Sequence, residues 1–275
     1  MQRVCFVIIC VLLMSCSESD RERVDVLPLS PTTGSISPNE NQQPPPTAVP
    51  TAPADGDWQR LVDGVEFREI AAGVTTVQIV RIDPTVRRMS VAYDAADPGR
   101  VSEWALALKP MMVINGGYFD EQGRATALTI YDGVSWGESY AGFGGMLAVD
   151  TAGTVSLRSL REQPYSSDET LAQALQSAPM LVLHGEAVPQ PNDDGKRSRR
   201  SVVASDGEGR IIVLACSWPQ FSLTELSVWL VEQPLGIVNA LNLDGGSSTG
   251  LALDTPDRSF TIDSLVRVPQ VLVVE

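Results

Sequence analysis

Between Ser17 and about Asp57 the chain is built from residues that cannot make a core, and this confines folding to the residues after them. Pro28, Pro31, Pro38, Pro44-Pro45-Pro46, Pro50 and Pro53 are interspersed there with Ser, Thr, Asn and Gln. Such a segment buries too little apolar surface to offset the entropy of ordering it. An extended, partly polyproline II tether is therefore expected over residues 16–56. Ahead of it, Arg3 precedes an apolar run over residues 4–14. That run is ~11 residues, roughly 16 Å as a helix, too short for a hydrocarbon core of about 30 Å. Residues 1–15 read as a signal peptide. They lead into Leu13-Met14-Ser15-Cys16, which resembles a bacterial lipobox, with Cys16 as the lipid acceptor. An ordinary leader with an incidental cysteine is the alternative. The expectation is an exported lipoprotein, anchored through Cys16 to a membrane and held on the cell surface or periplasmic face.

Residues 57–275 are one domain's worth of chain, without a second linker or an internal repeat. Once Cys5 and Cys10 leave with the leader and Cys16 is lipidated, Cys216 alone stays in the domain. It ends the apolar run 211–216, so core packing is expected of it rather than a disulfide. The formal net charge of −14 excludes a nucleic-acid partner, since phosphate backbones are bound through basic surfaces. Against that background stands Lys196-Arg197-Ser198-Arg199-Arg200. Composition alone favours a solvated loop there; a local site for phosphate or carboxylate oxygens is the other reading.

Strand patterns dominate the domain. Residues 74–82, 88–93, 127–131 and 146–150 are short, rich in β-branched or aliphatic residues and bounded by turn residues. Two hairpins are expected, one turning at Asp150-Thr151-Ala152-Gly153 and one through Ser205-Asp206-Gly207-Glu208-Gly209. Three short helices are expected as well. Ser166 to Glu169 and Ser222 to Glu225 have capping-box spacing ahead of residues 171–175 and 226–231, and a third helix spans 101–108 before Pro110. The resulting expectation is an α+β domain of mixed, largely antiparallel sheets with about three flanking helices.

Two glycine-rich loops follow apolar strands: Asn115-Gly116-Gly117-Tyr118-Phe119-Asp120 and Asp244-Gly245-Gly246-Ser247-Ser248-Thr249-Gly250. Paired glycines permit positive φ and let backbone amides approach a ligand; each loop alone is equally a tight turn with a capping side chain. Gly246-Ser247-Ser248-Thr249-Gly250 also fits the G-x-S-x-G nucleophile elbow. That motif needs a later histidine, and the chain's single one, His184, lies upstream at a strand-end turn position. No His/Cys cluster has metal-ligand spacing; no cofactor is expected, and an oxygen-ligated divalent cation at Asp244 stays open.

These two loops, the Arg200-Ser201 entry to a strand and Asn242-Leu243 ahead of Asp244 resemble the motif blocks of the phosphodiester glycosidase family. Residues 58–83, Trp104, Ala178-Pro179-Met180-Leu181 and the helix at 223–232 fit in the same order, so the resemblance spans the domain. Two departures stand out. Family members often carry Asp-Gly-Gly-Gly-Ser where this chain has Asp244-Gly245-Gly246-Ser247, and Arg-Thr where it has Arg200-Ser201. Both keep small or hydroxyl character. The resemblance implies hydrolysis of the sugar–phosphate bond in a glycosyl phosphodiester of the N-acetylglucosamine-1-phosphodiester type, from the cell envelope or an exopolysaccharide. It implies Asp244 as the essential carboxylate, with Asp120 either its partner or a turn-closing residue. It further implies Arg200 on the phosphate, and Asn115, Gly116, Gly117, Gly245, Gly246, Ser247, Ser248 and Thr249 around the substrate. The alternative on the same scaffold is a lipoprotein that binds carbohydrate without cleaving it.

Overall fold

Runs such as Ile211 to Cys216 are apolar at every position, which requires both faces of the strand to be covered. The computed structural model, which describes residues 58–275, shows how that is done; the leader, Cys16 and the tether lie outside the described residues. In chain order the elements are β1 (Gln59–Val62), β2 (Val65–Ala72), β3 (Thr75–Ile82), β4 (Met89–Tyr93), α1 (Val101–Leu108), β5 (Met112–Asn115), β6 (Thr129–Tyr131), β7 (Val134–Trp136), β8 (Gly145–Asp150) and β9 (Val155–Ser159). There follow β10 (Leu171–Ser177), β11 (Met180–Leu183), β12 (Glu186–Ala187), β13 (Ser198–Asp206), β14 (Ile211–Phe221), α2 (Leu223–Glu232), β15 (Ile237–Asn242), β16 (Leu251–Asp254), β17 (Ser259–Ile262) and β18 (Gln270–Val274).

The strands form three sheets. One has eight strands in the order β1-β2-β3-β14-β13-β15-β11-β12; the other two have five each, β7-β6-β10-β8-β9 and β17-β16-β5-β18-β4. Neighbouring strands pair antiparallel throughout these sheets. The central core lies where the sheets meet: Val80 and Val213 from the first, Leu147 and Leu175 from the second, Ile114 and Leu272 from the third. Each sheet also buries much of its other face. Ile212, Leu214 and Cys216 pack with Leu226 and Leu230 of α2. Val113, Val271 and Val273 pack with Val101 and Trp104 of α1. Alternate residues of β14 and β18 thus enter different cores, which is why these antiparallel strands lack the apolar–polar alternation of a half-solvated sheet. Cys216 is a buried free thiol, as its apolar run indicates.

This architecture corrects the α+β expectation: the domain is mostly β, with two helices rather than three. The expected helix at 171–175 is β10, at the centre of its sheet between β6 and β8. Ser166 and Glu169 do bond across the capping spacing, the Ser166 amide donating to Glu169 Oε1 at 2.8 Å. They close only a turn, because Arg158 Nη2 on β9 holds both Glu169 carboxylate oxygens, at 2.6 and 2.7 Å. Two neighbouring strands then supply β10 with backbone partners that a short helix would have to make for itself. The helices at 101–108 and 223–232 form as expected, as do both hairpins.

One buried side chain ties the eight-stranded sheet to the β5 sheet at the two glycine-rich loops. Asn115 Nδ2 donates to the Asp244 carbonyl at 2.7 Å and the Gly116 carbonyl at 3.3 Å. Its Oδ1 accepts from Ser201 Oγ at 2.6 Å and from the Gly250 amide at 3.0 Å. Two features of this frame are measurable. Asn115→Ala strands several buried donors and acceptors at once, each costing ~1–3 kcal/mol, so chemical denaturation is expected to show a loss of roughly 3 kcal/mol or more. At α2, Ser222 Oγ accepts from the Glu225 amide while the Glu225 side chain accepts from the Ser222 amide. Ser222→Ala is expected to cost about 1 kcal/mol, read as a Tm lower by about 2–4 °C.

Candidate functional site

The two glycine-rich loops extend from β5 and β15, strands of different sheets, and meet on Asn115. The Asp244 amide donates to the Gly116 carbonyl at 3.1 Å and the Leu243 amide to the Ser201 carbonyl at 2.9 Å. Asn115, expected to orient substrate, instead has both its amide atoms engaged within the protein. Gly116 and Gly117 serve packing. A Cβ on Gly116 would lie 2.8 Å from Gln270 Cγ and Leu175 Cδ1, and one on Gly117 would lie 2.6 Å from the Gln176 carbonyl oxygen. Of the four paired glycines only Gly246 has positive φ, +61°.

Asp244 opens the second loop, and its Oδ1 accepts from the Gly245 amide at 2.9 Å. Burial pushes its carboxyl above the ordinary range, opposed by hydrogen bonds from the Ser248 side chain and the Gly245 amide. Among the described residues no cation lies within 4 Å of it. Two phenols flank it instead. Tyr118 is pushed up to about 12, by burial first and then by Asp244 and Tyr140. Tyr140 is also raised, chiefly by burial, with Asp244 contributing. Tyr118 Oη donates to the Ala178 carbonyl at 2.9 Å and accepts from Asn242 Nδ2 at 3.0 Å.

Arg200 is the neighbouring cation. Its Nε donates to the Phe221 carbonyl and its Nη2 to the Lys196 carbonyl, both at 3.1 Å. Nη1 lies 3.9 Å from where a Gly245 Cβ would sit, so the absent side chain keeps the guanidinium beside the Asp244 loop. Burial lowers its pKa, against the pull of Tyr118, Asp193 and Asp194. The basic run is divided among tasks. Arg197 pairs with Glu225 of α2. Arg199 Nη2 donates to the Thr249 and Asp263 carbonyls at 2.9 and 2.8 Å. Arg200 is left toward the site.

Asp120 lies elsewhere in its loop's hydrogen bonding. Its carboxylate accepts from Arg124 Nε at 2.7 Å and from the Arg124 and Gln122 amides at 2.9 and 3.0 Å. The Arg124 contact is the main cause holding its pKa below the usual range. It closes a turn. Ser248 is buried beside Asp244, Ser247 is exposed, and Thr249 is buried with its carbonyl on Arg199. His184 sits in the turn after β11 at φ +51°, its ring on Glu162, so it offers Ser248 no base. No group of three or more His, Cys, Asp or Glu among the described residues is placed to hold a metal ion. Sequence reasoning did not single out Tyr118, Tyr140 or Asn242. Asn242 and Tyr118 sit inside the motif blocks, whereas Tyr140 belongs to a loop carrying positive-φ Gly137, Gly142 and Gly144, the one local signal available.

The sequence model of the phosphodiester glycosidase family matches residues 109–275. No curated protein sequence matches the chain. Among solved structures, the fold is similar to the catalytic domain of zebrafish N-acetylglucosamine-1-phosphodiester alpha-N-acetylglucosaminidase, auto-inhibited by pro-peptide. The TM-score is 0.60 at 20% identity, over 77% of this chain and 82% of that one. A hypothetical protein from Synechocystis is similar at TM-score 0.53 and 18% identity, over 77% of this chain and 62% of that one. The structural likenesses speak for the fold, and the family match covers both glycine-rich loops, Arg200 and Asp244. The chain belongs to the phosphodiester glycosidase family.

Proposed function

We propose that this protein hydrolyses the bond between a sugar's anomeric carbon and the phosphate oxygen of a glycosyl phosphodiester. The carrying observation is the pair formed by Asp244, half-buried without a counter-ion among the described residues, and Arg200, lying against Gly245 of the same loop. A phosphodiester has a matching pair of needs. Its leaving phosphate gathers negative charge as the bond breaks, and its anomeric carbon becomes electron-poor. Arg200 Nη1 supplies a cationic donor for the phosphate. Asp244 supplies the carboxylate that faces the anomeric carbon or draws a proton from the attacking water.

In the net step a water oxygen bonds to the anomeric carbon, and the carbon–oxygen bond to phosphate breaks with its electron pair leaving on the phosphate oxygen. One water proton stays on the new anomeric hydroxyl and the other passes to solvent through Asp244, and the products are a free sugar and a phosphate monoester. Phosphate leaves readily, so the step does not depend on a strong general acid. Asp120, committed to Arg124, is not needed as a second carboxylate. The tyrosines stay protonated across the working pH range and so serve as neutral walls, the Tyr118 proton being held by the Ala178 carbonyl.

Release of sugar from a nitrophenyl N-acetylglucosamine phosphodiester is expected to fall on the order of 10²-fold or more in Asp244→Asn. Equal rates would remove Asp244 from catalysis, and binding with no release by wild type would favour a carbohydrate-binding protein. Arg200→Ala is expected to lose activity on phosphodiesters and much less on substrates lacking phosphate; a uniform loss would indicate damaged structure.

Catalysis by an ionised Asp244 also has a pH signature. Asp244 acts as the carboxylate, so kcat/KM declines as pH falls through its pKa, which burial places above the ordinary 3.8. The Ser248 hydrogen bond stabilises the ionised form. Ser248→Ala is therefore expected to move this acid limb to higher pH, and an unmoved limb would assign it to another group. Export and lipidation at Cys16 belong to the same proposal and would bring the domain near envelope glycans. In a producing bacterium, radiolabelled fatty acid is expected to enter the wild-type chain and not Cys16→Ser.

A further inference from the structure

A cavity of about 550 Å³ opens beside this site, and its walls are mostly hydrocarbon: Phe143, Pro179, Met180, Leu183, Val188 and Pro189. Two of its lining residues touch side chains that surround Asp244. Phe143 stacks on Tyr140 with ring centroids 4.4 Å apart and planes 26° apart, and Tyr140 senses Asp244. Ala178, also in the wall, accepts at its carbonyl from both Tyr118 Oη and Asn242 Nδ2. The opposite wall begins the segment that leads to Arg200. Gln190 Nε2 fastens it by donating to the Met180 and Val188 carbonyls at 2.9 and 3.0 Å, and the Lys196 carbonyl further along receives Arg200 Nη2.

A phosphodiester carries two organic groups. With the anomeric carbon at Asp244 and the phosphate at Arg200, the second ester group extends away from the sugar, toward the wall made by Arg200's own segment. That wall and Phe143 present C–H surface. Phe143 is 50% exposed, a large apolar ring in the cavity's lining. A sugar as second group would call for directed hydroxyl partners on most sides. Ser159, Arg161, Gln190 and Asn192 are polar members of the lining, but most of its exposed surface is hydrocarbon, and the Gln190 amide nitrogen is already on two carbonyls. An alkyl or aryl group would be driven in by burial, and 550 Å³ falls within the ~300–1,000 Å³ of small-molecule sites.

Resting on the hydrolase reading, we propose that this cavity is the subsite for the second ester group of the substrate, and that this group is apolar, alkyl or aryl, rather than another sugar. The enzyme would then act on amphiphilic glycosyl phosphodiesters and release an alkyl or aryl phosphate monoester alongside the free sugar.

The test is a series of N-acetylglucosaminyl phosphodiesters whose second group is methyl, butyl, hexyl, benzyl or galactosyl, assayed with the full chain. We expect kcat/KM to rise roughly two- to fourfold per buried methylene, with hexyl at least tenfold above methyl and benzyl above galactosyl. Phe143→Ser is expected to flatten the series. Release of sugar at equal kcat/KM from all esters, or fastest from galactosyl, overturns the subsite and leaves hydrolysis standing. Should no ester release sugar, calorimetry with hexyl phosphate against methyl phosphate decides the cavity separately. Binding of hexyl phosphate at least tenfold tighter, lost in Phe143→Ser, upholds an apolar phosphate-ester site while the hydrolase reading falls. Equal binding of the two overturns both.

Discussion

The site depends on the buried amide of Asn115. It is fully enclosed, and it uses both ends to hold three segments that come from distant parts of the chain: the start of its own loop, Ser201 on β13, and the loop at 244–250. A hydroxyl in its place would have too few hydrogen-bonding atoms, and an aliphatic residue would leave carbonyls and amides without partners in a place water does not reach. A buried polar network of this kind tolerates little displacement. Its consequence is that Asp244 is set by a hydrogen bond to its own carbonyl from the other sheet, and so inherits the rigidity of both sheets.

Around that anchor neither Asp244 nor Arg200 has an ion-pair partner within 4 Å among the described residues. Elsewhere on this acidic surface several arginines find carboxylates, as Arg197 does at Glu225, Arg158 at Glu169 and Arg210 at Asp206. Arg200 is held by two backbone carbonyls, which orient it while leaving its charge in place. Asp244 is held by an amide and a hydroxyl with the same effect. Both charges are partly desolvated, so each interacts more strongly with an incoming group than it would in water. On either side of Gly245, Asp244 and Arg200 are each held by neutral groups rather than by one another.

Long apolar runs, turn residues and hairpin spacing were legible along the chain because they are local. They placed the strands at 74–82, 88–93 and 146–150, both hairpins, and the helices at 101–108 and 223–232. The segment 171–177 was not legible. Its capping spacing is real and forms a turn, yet Arg158 also binds Glu169 and two neighbouring strands claim the residues after it. Backbone partners from β6 and β8 are separated from β10 by tens of residues in the chain, so no local pattern reports them. The same holds for the glycines at 116 and 117, whose spacing suggests ligand approach. Gln270, Leu175 and Gln176 packed against them show that closeness to other chain segments is what excludes a side chain there.

By itself the amino-acid sequence determined the family blocks, the predominance of short strands and the buried thiol, and it marked Asp244 and Arg200 as the candidate acid and cation. These follow from residue type and near neighbours. Only the tertiary structure decided what each polar group in the blocks does: Asn115 bonds the loops together, Asp120 closes a turn on Arg124, and Tyr118 and Tyr140 flank the carboxylate. It also decided that a mostly apolar cavity lies near the site, since its lining gathers residues from 143–144, 159–161, 178–183 and 188–192. The physical reason is that charge and hydrogen-bonding capacity belong to a side chain, whereas the partner that uses them is chosen by which distant segment the sheets bring within reach.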